Sequence, residues 1–384
     1  MNVVLDFRKY DGVVGGVEQA VFHLVRNVTG RGNAVVLLCK RNRLEETRDL
    51  FHGTSNLDIV PLDVRNHVIS RANRILDSTV IQDIAEQRGA DLIHFPYNWS
   101  FPTGKKAPSV LTIHDVIPFT FREAQSLRNN RLHYRPSMRR SAALNDVIAT
   151  VSEFSKQDIV SKLGVRPEKI RVIYNGLRDP NPPDPDQERN VRRSYGLAGR
   201  FVLNVGGIHE RKNVPRLIRA FASLRRDHGY GGMLVITGRT GGAPYQERMK
   251  RRCDEAVRRA GLDGSVVFTD FVTESELDSL YRSADCLVYP SLYEGFSIPV
   301  LEAMKLDLPV VTSSTTALPE VAGDAALLVN PERVEEITEA MARIVSDQGL
   351  RRDLARRGRE RAQGFTWETN AEAYLSVYEE LAGS

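Results

Sequence analysis

The sequence predicts an α/β chain of two doubly wound parallel-sheet domains in tandem. Three observations predict it. Short apolar runs without polar alternation recur along the chain, as strands buried on both faces require. Segments of helical period separate them, so strand and helix alternate. Midway, the stretch Asp179-Pro180-Asn181-Pro182-Pro183-Asp184-Pro185-Asp186 breaks the series, because proline can neither continue a helix nor enter a central strand. The domain boundary is placed there, with a first domain over residues 1–180, a second over 187–365, and a terminal helix over 366–384.

In the first half, strands are expected at Val3 to Asp6, Ala34 to Cys39, Leu57 to Val60, Asp91 to Phe95, Ser109 to Ile113 and Val147 to Val151, with helical patterns such as Val17 to Val28 between them. The second half restarts at Phe201 to Val205. It continues through Met233 to Thr237, Val266 to Phe268, Cys286 to Tyr289, Pro309 to Thr312 and Ala326 to Val329. Charged helical segments follow at Val334 to Ser346 and Leu350 to Arg361. The last, Thr366 to Leu381, carries Trp367, Tyr374 and Tyr378, anchors that need a surface to pack on.

With 384 residues, 41% of them hydrophobic, the chain can bury two substantial cores. Three widely spaced cysteines, Cys39, Cys253 and Cys286, support neither a disulfide framework nor a CxxC metal site, and suit a reducing cytosol. Charged residues interrupt the only apolar stretch at the start, and no run approaches roughly 18 apolar residues, so neither secretion nor a membrane span is expected. A net charge of +4 is compatible with anionic partners without choosing among them. Arg128 to Arg140, with Arg131, Arg135, Arg139 and Arg140 interleaved by Leu132, Tyr134 and Met138, reads either as a solvated helix face or as a patch for anionic lipid or a polyanionic acceptor. Pro136 argues against one continuous amphipathic helix there.

Four constellations can carry chemistry. Tyr293 to Met304 holds Glu294 in the loop after the strand Cys286 to Tyr289, and Glu302 in the helix that follows. Gly295 lets a ligand approach the backbone, the helix start offers free N–H groups to an anion, and Glu302 can reach polyol hydroxyls. A sugar nucleotide presents both anion and polyol. After the strand Phe201 to Val205 stands Gly206-Gly207-Ile208-His209-Glu210-Arg211-Lys212-Asn213, where two cations at a strand-to-helix turn would oppose a diphosphate or simply face solvent. Gly15-Gly16 lies near the first strand, matching neither the GxGxxG nor the GxxxxGK[ST] pattern, so a tight structural turn competes with substrate approach. His114-Asp115 closes the strand Ser109 to Ile113, which would put the imidazole at the same sheet edge, although a lone histidine is more often structural.

Taken together, Gly206-Gly207 with Arg211-Lys212-Asn213, Phe268-Thr269-Asp270-Phe271-Val272, and Tyr293-Glu294-Gly295-Phe296 through Glu302-Ala303 resemble the retaining glycosyltransferases of family 4, of GT-B fold. Gly15-Gly16, His114-Asp115, Val151 to Ser155 and Val172 to Gly176 match in the same order, across nearly the whole chain. The resemblance implies two Rossmann-like domains with an interdomain cleft, the first binding acceptor and the second binding nucleotide-sugar, with the terminal helix crossing back to the first. It places Arg211 and Lys212 on the diphosphate, Glu294 on the transferred sugar, Glu302 on the ribose and His114 near the reacting carbon. Gly15, Gly16, Gly207, Gly295, Phe296, Ser297 and Ile298 would line sugar and phosphates, and Val272 would lie against the base. Thr237-Gly238-Arg239 offers a third phosphate contact. The adjacent Arg-Lys pair departs from relatives in which the two cations are several residues apart.

By that resemblance the chain is expected to be a hexosyltransferase that retains anomeric configuration without a metal. The subgroup's likeness to bacterial mannosyltransferases of polysaccharide assembly points to GDP-mannose as donor and a saccharide or lipid-linked saccharide as acceptor. UDP-sugar dependence and a nonenzymatic nucleotide-sugar-binding scaffold are the alternatives. The expected location is the cytoplasm, on an anionic membrane surface if Arg128 to Arg140 acts as a patch, with no role in nucleic-acid binding and no cofactor beyond the donor.

Overall fold

Every strand pairing in both sheets is parallel. The computed structural model describes residues 1–64, 71–121 and 133–383, with the backbone alone at 71–73. Its contacts divide the chain into two units. One is Met1–Gly176 with Phe365–Ser384, and the other is Leu177–Gly364. The first division falls at Gly176/Leu177, a few residues ahead of the expected boundary at 180, so the proline-rich stretch belongs to the second unit.

The first sheet is built from β1 (Asn2–Asp6), β2 (Ala34–Lys40), β3 (Leu57–Leu62), β4 (Leu92–Phe95), β5 (Ser109–Thr112), β6 (Val147–Thr150) and β7 (Ile170–Val172), in the order β3-β2-β1-β4-β5-β6-β7. The pleat sends Val3 and Leu5 into one core and Val4 into another, so both faces are covered and the strand reads as continuously apolar. Sequence reading did not expect β7. Only three residues long with Arg171 at its centre, it has no period of its own and is defined by its pairing with β6.

Of Arg128 to Arg140, residues 128–132 lie outside the described residues. Within the rest, Tyr134 and Met138 are buried in the first unit's core, while Arg139 and Arg140 are exposed on the helix Arg135–Leu144. Pro136 sits in that helix's first turn, where its missing N–H has no partner to lose. The interleaved apolar residues described here therefore serve packing. What they leave on the surface is charge.

The final helix, Trp367–Ala382, packs on the first sheet's face beside the helix Gly16–Gly30. Trp367 stacks on His23 at 4.8 Å. The buried His94 on β4 joins Tyr378 Oη through Nδ1 at 2.7 Å and Thr112 Oγ1 through Nε2 at 2.8 Å, and Thr112 meets Tyr374 Oη at 2.9 Å. Burial above all, and then repulsion from His114, pushes the His94 imidazole down to about 3.

The sign follows from linkage. The unfolded chain takes up a proton near pH 6.5 that the folded chain refuses, so this contribution is intact above that pH and is lost as pH falls toward 3. Denaturant unfolding of the first unit at pH 7 and pH 5 should show a drop to which His94 adds about 2 kcal/mol. A His94→Gln variant should be less stable at pH 7 and lose that share of the slope; an unchanged slope would contradict the assignment.

The second sheet comprises β8 (Phe201–Val205), β9 (Met233–Thr237), β10 (Val266–Asp270), β11 (Cys286–Tyr289), β12 (Val310–Ser313) and β13 (Ala326–Val329), ordered β10-β9-β8-β11-β12-β13. Strand order reverses between β8 and β11. In a doubly wound sheet the carboxyl ends of the strands at that switch form the ligand crevice.

Candidate active site

Two loops leave the switch point of the second sheet side by side. After β8 the chain turns at Gly206 and Gly207, whose φ angles of 113° and 72° are left-handed. Space also demands glycine at this turn. A Cβ on Gly207 would stand 2.8 Å from the Arg239 carbonyl oxygen, and one on Gly238 would stand 2.4 Å from the Gly207 nitrogen. Backbone thus packs on backbone at the ends of β8 and β9.

A single turn, Glu210–Lys212, leads into the helix Val214–His228 through Asn213, itself left-handed at φ 61°. The Asn213 amide donates to the carbonyls of Pro290 at 3.0 Å and Pro331 at 2.7 Å. The Arg211 carbonyl accepts from Leu292 N at 2.7 Å and Ser291 Oγ at 2.9 Å. These bonds lash the loop after β8 to the loop after β11, which fixes the two cations against Glu294.

Glu294 is buried, and one of its oxygens, Oε1, gathers four donors. Arg211 Nη1 lies at 2.6 Å, Lys212 Nζ at 2.8 Å, Ser291 Oγ at 2.7 Å and Tyr289 Oη at 3.2 Å. Lys212 also donates to Tyr289 Oη. Burial pushes the Glu294 carboxyl up, but the Lys212 and Arg211 charges outweigh it and hold the group below its ordinary value. The Tyr289 phenol is driven well above its usual range, first by burial and then by Glu294, and so remains a neutral donor.

Such a cluster suits exchange of partners. A buried lysine and a half-buried arginine share a single carboxylate, so an incoming dianion would find them already largely desolvated and aimed.

Glu302, on the helix Ile298–Lys305, belongs to a second cluster. Arg178 Nε lies 3.2 Å from its Oε1, and Tyr281 Oη donates to Oε2 at 3.2 Å. Burial raises its carboxyl above the ordinary value, partly offset by Arg178. Arg178 itself is a fork between Glu302 and Asp278, at 2.5 and 3.0 Å from the latter's oxygens. Val272, Phe296 and Ser297 are all buried, the latter two just ahead of that helix, whose first residue is Ile298. Structure therefore brings Arg211, Lys212 and Glu294 into contact and keeps Glu302 in separate company.

In the first unit, the N–H of Gly15 donates to Glu18 Oε2 at 3.1 Å, and Gly16 opens the helix Gly16–Gly30. The left-handed residue of that loop is Gly12, at φ 88°. His114 Nε2 lies 3.0 Å from the Pro96 carbonyl oxygen. A carbonyl only accepts, so Nε2 carries the proton, and burial lowers the imidazole's affinity for a second one. Nδ1 is then an acceptor for a hydroxyl.

Five residues of these clusters, Tyr289, Ser291, Arg178, Asp278 and Tyr281, were missed from sequence. Tyr289 and Ser291 gave a usable sign, as polar groups at the end of an apolar strand just before Glu294. Arg178 gave none, since its partner Asp278 is 100 residues away. Among the described residues, no group of three or more His, Cys, Asp or Glu is arranged to hold a metal ion.

The model of Glycosyltransferase Family 4 matches residues 14–179, and that of Glycosyl transferases group 1 matches residues 188–361. The two flank the proline-rich stretch and leave only residues 180–187 and the chain's ends unmatched. The chain belongs to the family 4 glycosyltransferases.

Among its relatives is the O-antigen chain mannosyltransferase B of Escherichia coli, 29% identical over 92% of this chain and 97% of that one. The serotype-specific mannosyltransferase WbdA of Escherichia coli is 26% identical over 84% of this chain, which spans 40% of that longer protein. A glycosyltransferase from Rickettsia africae ESF-5 superposes with a TM-score of 0.76 at 14% identity, covering 99% of this chain and 98% of that one, and so shares its fold. This glycosyltransferase accordingly has the two Rossmann-like domains of the GT-B class. No helix among its described residues is long and apolar enough to cross a membrane.

Proposed function

We propose that this glycosyltransferase moves mannose from GDP-mannose to a saccharide or lipid-linked saccharide, with retention of configuration and without a metal. The observation that carries the reading is the double ion pair on Glu294 at the switch point. With donor bound, the diphosphate takes over Arg211 and Lys212 while Glu294, released from them, accepts hydrogen bonds from the sugar's hydroxyls. Glu302 holds the ribose, Val272 lies against the base, and the Gly207 turn with Gly295 to Ile298 lets phosphate and sugar lie close to the backbone. Gly15, Gly16 and His114 belong to the first domain's share of the site, the His114 Nδ1 accepting from a sugar hydroxyl.

In the chemical step the bond from the anomeric carbon to the diphosphate oxygen breaks, and the acceptor oxygen bonds to that carbon on the same face. The acceptor proton passes to the departing diphosphate. Negative charge grows on the leaving group, and Arg211 and Lys212 stabilise it where it develops. Arg139 and Arg140, both exposed, supply the electrostatic part of any attraction to an anionic membrane carrying the acceptor.

Donor choice is tested by turnover with a panel of GDP- and UDP-hexoses. The reading expects GDP-mannose to be used fastest and the product to be the α-anomer. Faster use of a UDP-sugar would move the donor assignment. Tight nucleotide-sugar binding with no turnover of any donor would favour a scaffold.

A further inference from the structure

On the first domain, the Lys9 side chain has no acidic counterpart among the described residues. Lys9 follows β1, and its Nζ lies 4.8 Å from the centre of the Tyr97 ring, just beyond the end of β4. Strand order reverses between β1 and β4, so this is the ligand-binding edge of the first sheet. His114, at the end of β5, is close enough for the Lys9 charge to lower its proton affinity.

Every nearby carboxylate is committed elsewhere. Asp6 holds Arg8 at 2.7 and 2.9 Å, and Asp77 holds the same guanidinium at 2.6 Å. Glu18 accepts from Gly15 N at 3.1 Å and from Tyr97 Oη at 3.3 Å. Among the described residues the Lys9 ammonium has no hydrogen bond and no carboxylate within ion-pair distance; the Tyr97 ring face is its contact. Burial, the largest influence, pushes the amine down to about 7, with Arg8 adding to the shift and Asp6 opposing it. A charge desolvated in this way destabilises the free protein unless a ligand neutralises it.

We propose that Lys9 binds a phosphoryl oxygen of a substrate at the edge of β1 and β4. The inference rests on the glycosyltransferase reading, under which both the donor diphosphate and a lipid-diphosphate acceptor present such an oxygen. A sugar hydroxyl would leave the ammonium uncompensated, whereas a phosphoryl oxygen supplies the missing charge. Lys9 is then a binding residue distinct from the cations of the second domain.

The test compares wild type with Lys9→Met and Lys9→Arg in melting temperature, in the dissociation constants of inorganic pyrophosphate and GDP, and in KM for a lipid-diphosphate-linked saccharide and for the same saccharide without phosphate. Lys9→Met is expected to melt at or above the wild-type temperature, because it removes a half-buried charge that has no acidic partner. It should weaken pyrophosphate or GDP about tenfold if the donor is the source, or raise KM about tenfold for the phosphorylated acceptor alone if the acceptor is. Lys9→Arg should restore most of either loss. Unchanged binding and KM in Lys9→Met would overturn the proposal, as would a melting temperature several degrees lower with no recovery in Lys9→Arg. The pyrophosphate comparison reads Lys9 even where no donor is turned over, so its failure is separable from failure of the donor assignment.

Discussion

Lys212→Ala should lower turnover with the preferred donor by a factor of about 10²–10³, the usual cost of removing one preorganised group that stabilises charge on a leaving oxygen. Lys212 Nζ is buried, stands 2.8 Å from Glu294 and is held between that carboxylate and Tyr289, so no solvent-exposed cation can take its place. Glu294→Ala should cost a comparable factor for a different reason. It removes the group proposed to hold the sugar and leaves Arg211 and Lys212 facing each other without their shared anion.

Because the two residues touch, their effects should not multiply. The double variant should retain more activity than the product of the single losses, as expected when each substitution already disables a common unit. Arg211→Lys should not restore the site, since an ammonium point charge on a shorter stem does not reproduce the planar guanidinium that reaches Glu294 at 2.6 Å. Steady-state kinetics across these variants checks each statement. Full turnover in either single variant would remove the site assignment.

A second large effect is expected at Gly176, and it falls on stability. A Cβ placed there would stand 2.4 Å from the Trp367 nitrogen and 2.6 Å from its Cα, so the clash is with backbone and cannot be relieved by rotating a side chain. Gly176→Ala must push the start of the final helix off the first domain, straining the Trp367 stack on His23 and the Asn370 hydrogen bond to the Tyr174 carbonyl at 2.6 Å. A loss of about 3 kcal/mol follows from overpacking of this severity. In a domain of this size that corresponds to roughly 6–12 °C in melting temperature. Gly231→Ala is the control, since a Cβ there meets nothing within 4 Å. Equal melting of the two variants would show that the final helix does not depend on this contact.

Most of the fold was legible because a strand buried on both faces has no choice but to be apolar throughout. Cys286-Leu287-Val288-Tyr289 is such a run, and it proves to be a central strand between β8 and β12. Ile170-Arg171-Val172 was not legible, because an edge strand that short carries no period and takes its identity from its neighbour. The same division holds in the site. Arg211-Lys212 and Glu294 could each be placed at a strand's end, but their contact spans 83 residues and depends on β8 and β11 being neighbours. Sheet order, not local pattern, decides that. Arg178 shows the limit most clearly, since nothing around it announces that it will grip both Asp278 and Glu302.

The two glutamates of the Tyr293 to Met304 segment also separate once their surroundings are known. Sequence offers them as a pair at fixed spacing. In the fold, Glu294 is held ionised by two cations, whereas Glu302 is raised by burial despite Arg178. Such a difference suits Glu294 to exchanging its cations for hydroxyls and Glu302 to hydroxyls alone.

A crystal structure with an intact nucleotide-sugar tests the central claim most directly. The prediction is a diphosphate within hydrogen-bond distance of Arg211 and Lys212, with Glu294 turned from both toward the sugar's hydroxyls. A bound nucleotide whose phosphates lie elsewhere, with Glu294 still holding both cations, would contradict it.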